Sequence, residues 1–142
     1  MLKRLFSNNK RTSDYYVLVI DDDQPVRQII VDMLEDDGYI VKSALNGEEA
    51  LKMLDAAPLP DALIVDLMMP EMNGQEFIER GRVRFGRHHF PPSLLLTAAR
   101  HGEVTANLIE VDDYLPKPFD QDILLQHVWN LIEKKSSYAK HV

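Results

Sequence analysis

Apolar and polar residues alternate along this chain in two rhythms. Tyr15 to Ile20 is an unbroken aromatic and β-branched run, which predicts a buried strand ending in Asp21-Asp22-Asp23. Val26, Ile29, Ile30, Met33 and Leu34 then fall at helical spacing and predict a helix over 24–34 with one buried face. Pro25 suits its first turn, Asp23 or Gln24 can cap it, and Gly38 is a natural left-handed stop. Tyr39 to Ala44 predicts a second strand. Asn46-Gly47 turns into a second helix holding Ala50, Leu51, Met53 and Leu54, which Pro58 and Pro60 end.

Leu63, Ile64 and Val65 form a third strand, buried on both faces, that ends at Asp66. Pro70, Asn73 and Gly74 make a loop, and Phe77 and Ile78 mark a weaker helix running towards Arg84. Ser93 to Leu96 predicts a fourth strand ending at Thr97. A short fourth helix is expected between His101 and Glu110, then a fifth strand from Val111 to Leu115 ahead of Lys117-Pro118-Phe119. Asp120 caps a last helix with Ile123, Leu124, Val128, Leu131 and Ile132 on one face, and residues from about Lys134 onward read as a tail. Strand and helix alternate five times, so the expected fold is α/β, a doubly wound parallel sheet with helices on both faces and right-handed crossovers.

Lys3, Arg4, Lys10 and Arg11 among Ser and Asn predict a flexible basic lead-in over 1–14. This leaves one domain over 15–135 and a tail over 136–142. Arg80, Arg82, Arg84, Arg87, His88 and His89 form a basic cluster, which reads first as solvated surface and second as a partner contact. His127 reads as a surface residue of the last helix rather than a ligand or phosphate donor.

Composition narrows the function. The 142 residues are 45% hydrophobic and carry a net charge of −7, so direct nucleic-acid binding is disfavoured. There is no Cys, hence no disulfide frame and no thiolate metal site. No run reaches membrane-spanning length, and the expected location is cytoplasmic.

In a sheet of this kind, sites form beyond the carboxyl ends of the strands. Those ends carry Asp21-Asp22, Asp66, Thr97 and Lys117. Taken alone, Asp66 is as readily a cap or loop acid, but four strand ends with such residues are hard to assign to chance. Three acids in one place repel each other, so a cation is expected, and an all-oxygen set with room for water suits Mg²⁺. Lys117 supplies a point positive charge, Thr97 a hydroxyl and Asp66 a nucleophilic carboxylate, the components of a phosphoryl-transfer site.

Four stretches then resemble one family. They are Val-Leu-Val-Ile-Asp-Asp-Asp (17–23), Leu-Ile-Val-Asp-Leu-Met-Met-Pro-Glu-Met-Asn-Gly (63–74), Leu-Leu-Leu-Thr-Ala (94–98) and Asp-Asp-Tyr-Leu-Pro-Lys-Pro-Phe (112–119). In this order they are similar to the receiver domains of two-component response regulators. The resemblance implies a flavodoxin-like sheet of order 2-1-3-4-5. It implies that Asp66 accepts phosphate from a sensor histidine kinase or histidine phosphotransfer protein. Asp22 would ligate Mg²⁺ directly, Asp21 through water, and Asp66 and the Met68 backbone carbonyl would complete the ligands. Lys117 would pair with the phosphoryl group, and Thr97 and Tyr114 would form the switch. The domain would be a phosphoacceptor that slowly dephosphorylates itself rather than a turnover enzyme. Its output partner is an unknown protein, and a homodimer is left open.

Departures accompany the resemblance. The interval from Thr97 to Lys117 is slightly short, Glu110-Val111 stands where Gly-Ala is common, and Met68 and Ala99 flank the site with apolar side chains. The last helix also lacks the Arg pattern of receivers that dimerise above a winged-helix domain. Two other readings stand beside the first. One is a phosphate-independent pseudo-receiver that serves as an interaction module. The other is an Asp-nucleophile phosphohydrolase, against which Leu67-Met68 leaves no second acid two residues after Asp66.

Overall fold

The computed structural model describes residues 4–56, 58–98 and 110–140, with 136–140 as backbone only. Five strands form one parallel sheet: β1 (Tyr16–Ile20), β2 (Ile40–Ala44), β3 (Ala62–Asp66), β4 (Ser93–Ala98) and β5 (Asp113–Lys117). Their order is β2-β1-β3-β4-β5, as the resemblance implies. Four helices are described: α1 (Gln24–Asp36), α2 (Gly47–Leu54), α3 (Gly74–Phe85) and α4 (Gln121–Lys140). The segment expected to hold a further short helix, 101–109, lies outside the described residues, as does Ala99.

The strand period of two sorts side chains between two cores. Val17, Val19, Ile64, Leu94 and Leu96 pack with Ile30 and Leu34 of α1 and with Leu124, Val128 and Ile132 of α4. Leu18, Ile20, Leu63, Val65 and Leu95 pack with Ala50 and Leu54 of α2 and Phe77 and Ile78 of α3. β3 is central, and all five of its residues are buried, as its continuous apolar run predicts.

Helix starts follow local chemistry. Asp23 accepts from the Val26 amide at 3.2 Å, Asn46 from Glu49 at 2.8 Å, Asn73 from Glu76 at 2.9 Å and Asp120 from Ile123 at 3.0 Å. Gly38, which follows the Asp37 cap of α1, has φ +104°, the positive-φ backbone expected of a glycine helix stop.

Four expectations need correction. β5 begins at Asp113 rather than Val111 and runs on through Pro116 to Lys117. Proline is tolerated there because β5 is an edge strand with a free side. α4 continues to Lys140, past the Lys134 where a tail is expected. Ile29 is exposed on α1, and Arg27 takes a place on the buried face instead.

The largest correction concerns the lead-in. Residues 4–14 are folded onto the domain. Phe6 is only 2% exposed, Ser7 donates through its amide and hydroxyl to Glu133 of α4, and Thr12 donates to the Asp37 carbonyl at 2.6 Å. A short 3-10 turn, Thr12–Asp14, leads into β1. An aromatic residue among polar ones anchors a segment whose composition alone suggests disorder.

Candidate functional site

β1 and β3 end side by side, with Ile20 in register with Val65. The chain therefore delivers Asp21 and Asp66 to neighbouring positions at the carboxyl edge of the sheet. Asp21 is 1% exposed and Asp66 is 6% exposed, while Asp22 is open to solvent. One carboxylate oxygen from each of Asp21, Asp22 and Asp66 lies within 4.8 Å of the other two. β5 brings the counter-charge. Lys117 Nζ donates to Asp66 Oδ1 at 2.9 Å and stands 3.6 Å from Asp21 Oδ2.

Burial pushes the Asp66 carboxyl above its ordinary range. The charges of Asp21 and Asp22 push the same way, against the hydrogen bond and charge of Lys117. For Lys117, burial pulls its pKa down. The hydrogen bond and charge of Asp66, joined by Asp21, outweigh this and leave it raised. The lysine is thus held charged between two acids.

Asp21 is fixed from several sides. Its amide donates to the Ala44 carbonyl at 3.3 Å, and its Oδ1 accepts from the Asp23 amide at 3.0 Å. Its backbone carbonyl accepts from Arg27 Nη1 at 2.7 Å. Its Oδ2 is buried and has no hydrogen-bond partner among the described residues. Such an oxygen is costly unless a cation takes it up. Lys117 meets this oxygen only as an ion pair at 3.6 Å, so an all-oxygen acidic set with one buried oxygen short of a hydrogen bond fits a hard divalent ion such as Mg²⁺.

The loop after β3 is held close. Gly74 donates its amide to the Leu67 carbonyl at 2.9 Å, and Met69 donates to the same oxygen at 3.2 Å. A Cβ on Gly74 would stand 2.5 Å from the Asp66 carbonyl oxygen, so only glycine lets α3 start this near the acid. Met68 lies between these residues with its side chain 69% exposed, and among the described residues no amide claims its carbonyl.

Thr97 is the residue after Leu96, the register partner of Asp66. Its hydroxyl is buried and lacks a partner among the described residues, a second orphan at the same edge of the sheet. Tyr114 is not brought to the acids. It pairs with Leu95, further back in the sheet, and its side chain is partly exposed on the edge strand.

Other candidates are engaged elsewhere. His127 Nδ1 lies 2.5 Å from Asp113 Oδ2, joining α4 to β5. In the basic cluster, Arg84 pairs with Asp55, Arg87 with Glu110, and Arg82 donates to the Glu110 carbonyl. Arg27 is the site residue that motif reading misses. Its signal is spacing, because 27, 30 and 34 share the buried stripe of α1.

A doubly wound parallel sheet carrying acids and a lysine at the carboxyl ends of β1, β3 and β5 defines the class of flavodoxin-like α/β folds with an acidic site at one edge of the sheet. Comparison with known proteins narrows the class to one family. The response regulator receiver domain family matches residues 17–129, and the chain belongs to it. Response regulator MprA of Mycobacterium tuberculosis is 41% identical over 120 residues, covering 83% of this chain and 50% of MprA. This chain thus spans about half the length of the MprA proteins it matches. A 14.6 kDa protein encoded in the sodA1 3' region of Leptolyngbya boryana is 45% identical over 107 residues, 73% of this chain and 79% of that protein. Among solved structures, the chemotaxis protein CheY4 of Vibrio cholerae superposes with TM-score 0.71 at 32% identity, covering 82% of this chain and 98% of CheY4. Among the described residues, no helix is long and apolar enough to cross a membrane.

Proposed function

We propose that Asp66 accepts a phosphoryl group from the phosphohistidine of a sensor histidine kinase or histidine phosphotransfer protein in the cytoplasm. The observation that carries this reading is the Lys117–Asp66 contact at 2.9 Å inside a cluster of three acids. A carboxylate oxygen of Asp66 attacks phosphorus. The bond from phosphorus to the histidine nitrogen breaks, and the imidazole leaves with its electron pair. Asp21, Asp22, Asp66 and the Met68 carbonyl would hold Mg²⁺. When bound, the ion supplies positive charge that offsets the negative charge of the acids and of the incoming phosphoryl oxygens.

Lys117 keeps its ammonium charged at the mouth of the site, where it can pass from Asp66 to a phosphoryl oxygen. The orphaned Thr97 hydroxyl is a donor for a second oxygen. Once Thr97 bonds the phosphoryl group, its position and that of Tyr114 bias the two conformations of the β4–β5 edge. This alters the surface offered to a downstream protein. The acyl phosphate is then lost slowly to water.

The test is labelling with acetyl phosphate and Mg²⁺ followed by intact-mass measurement. One added phosphoryl group, absent in Asp66→Asn and absent in EDTA, is expected. An unchanged wild-type mass together with no binding of beryllium fluoride would favour the phosphate-independent interaction module.

A further inference from the structure

We infer that Arg27 is a positioning residue of the acidic site, holding through the Asp21 backbone carbonyl the turn that presents Asp21 and Asp22 to a divalent cation. This rests on the proposed reading of that cluster as a cation site. Arg27 is 9% exposed, and among the described residues no carboxylate lies within ion-pair distance of it. Burying a guanidinium with no ion-pair partner is costly, and a surface arginine on α1 would avoid that cost. What the burial achieves is one short, charge-assisted bond at 2.7 Å to the Asp21 carbonyl.

That carbonyl belongs to the residue after Ile20, the last β1 residue in register with β2 and β3. At this point the chain leaves the sheet, and a buried carbonyl needs another donor. Arg27 supplies it from the first turn of α1, whose amide at the same residue donates to the Asp23 carbonyl at 2.9 Å. Side chain and backbone of one residue therefore clamp the ends of Asp21-Asp22-Asp23. With its carbonyl, amide and Oδ1 all bonded, Asp21 has in Oδ2 an oxygen without a hydrogen bond among the described residues, 3.6 Å from Lys117 and in place to take up an ion.

Two other roles for Arg27 make different predictions. A buried positive charge near three acids that acted only through its field would repel a cation, so its loss would tighten binding. A residue that only supported α1 would change thermal stability and leave cation affinity alone. Positioning predicts weaker binding on neutralisation, against the sign of the charge change.

The experiment titrates Mn²⁺ into wild type, Arg27→Met and Arg27→Lys, following free ion by electron paramagnetic resonance. Thermal melts in EDTA run alongside, and Arg27→Gln stands in should Arg27→Met not fold. We expect Arg27→Met or Arg27→Gln to bind Mn²⁺ about 10- to 100-fold more weakly. Arg27→Lys, which keeps the charge and a donor, should recover most of the affinity. Unchanged or tighter binding by the neutral variants, with or without a lower Tm, overturns the inference while leaving the site reading intact. Failure of wild type to bind Mn²⁺ overturns both.

Discussion

The ring of Phe6 stacks on that of Trp129, with centroids 3.6 Å apart and planes 13° from parallel. Arg4 adds its guanidinium 4.1 Å from the centre of the same indole, and Tyr15 meets Phe6 edge-on at 4.7 Å. The lead-in is thereby fastened to α4, beyond the stretch matched by the family. Phe6→Ala should cost about 3–5 kcal/mol, the usual range for a buried phenylalanine. Trp129 is the only tryptophan, so its emission should also move to longer wavelength. A chemical denaturation curve followed by fluorescence measures both. An unchanged midpoint would mean that the lead-in is not part of the cooperative fold.

On the proposed function, Lys117 and a bound cation would compete for the same acids. Lys117→Met removes the ammonium 2.9 Å from Asp66 and 3.6 Å from Asp21 while keeping much of the volume. Mg²⁺ should bind several-fold more tightly, because the competing positive charge is gone. Labelling of Asp66 by acetyl phosphate at saturating Mg²⁺ should nevertheless slow on the order of 100-fold, since a positioned donor to the phosphoryl oxygens is lost. Calorimetry and intact-mass kinetics separate the two effects. Weaker Mg²⁺ binding would show that Lys117 organises the acids rather than competing for them.

Gly74 sits where a methyl group has no room. Its Cβ would meet the Asp66 carbonyl oxygen at 2.5 Å and Leu95 Cδ1 at 2.9 Å. Backbone must shift in response, and it is the backbone that carries Asp66. Gly74→Ala should destabilise the domain by about 1–3 kcal/mol and slow the labelling of Asp66. Thermal unfolding and the mass assay check the two halves of the prediction. A variant as stable and as reactive as wild type would show that α3 can start farther from Asp66.

Tyr39 buries a hydroxyl without a hydrogen-bond partner among the described residues. Burial pushes its pKa well up, the charges of Asp37 and Tyr15 add to this, and Arg4 opposes it. The folded value therefore stands above the unfolded value of about 10. The corresponding stability is fully present below the unfolded value and is lost as pH rises towards the folded one. Tyr39→Phe should gain roughly 1 kcal/mol at neutral pH, because an unsatisfied polar atom is removed. It should also move the onset of alkaline unfolding to higher pH. Circular dichroism across pH 8–12 gives the measurement, and an earlier onset in the variant would contradict the argument.

The alternation of apolar runs and amphipathic helices was enough to read the parallel sheet. The acids and the hydroxyl were legible because each stands at the end of a buried run, and strand ends of such a sheet open on one edge, whereas β5 buries only Leu115 and Lys117 was legible from its place ahead of Pro118-Phe119. Asp66 is the clearest case, since the four buried apolar residues from Ala62 to Val65 leave the strand end as the one place in β3 for a carboxylate. Where β5 ends was not legible. Pro116 reads as a strand breaker until the strand order shows β5 with a free side. The Phe6 anchor escaped for a related reason, because its partner Trp129 is distant in sequence and its neighbours are polar and basic.

By itself, then, the sequence determined the order of strands and helices among the described residues, though not where β5 and α4 end, and which polar groups stand at the strand ends. Local periodicity and capping chemistry act within a few residues and are written in order along the chain. Only the tertiary structure decided that Lys117 spans Asp66 and Asp21, that Arg27 turns inward to the Asp21 carbonyl, and that the lead-in docks on α4. The first and last of those contacts depend on the packing of segments far apart in sequence, and the Arg27 contact, only six residues long, depends on how β1 and α1 are packed together, so capping and periodicity alone do not specify them.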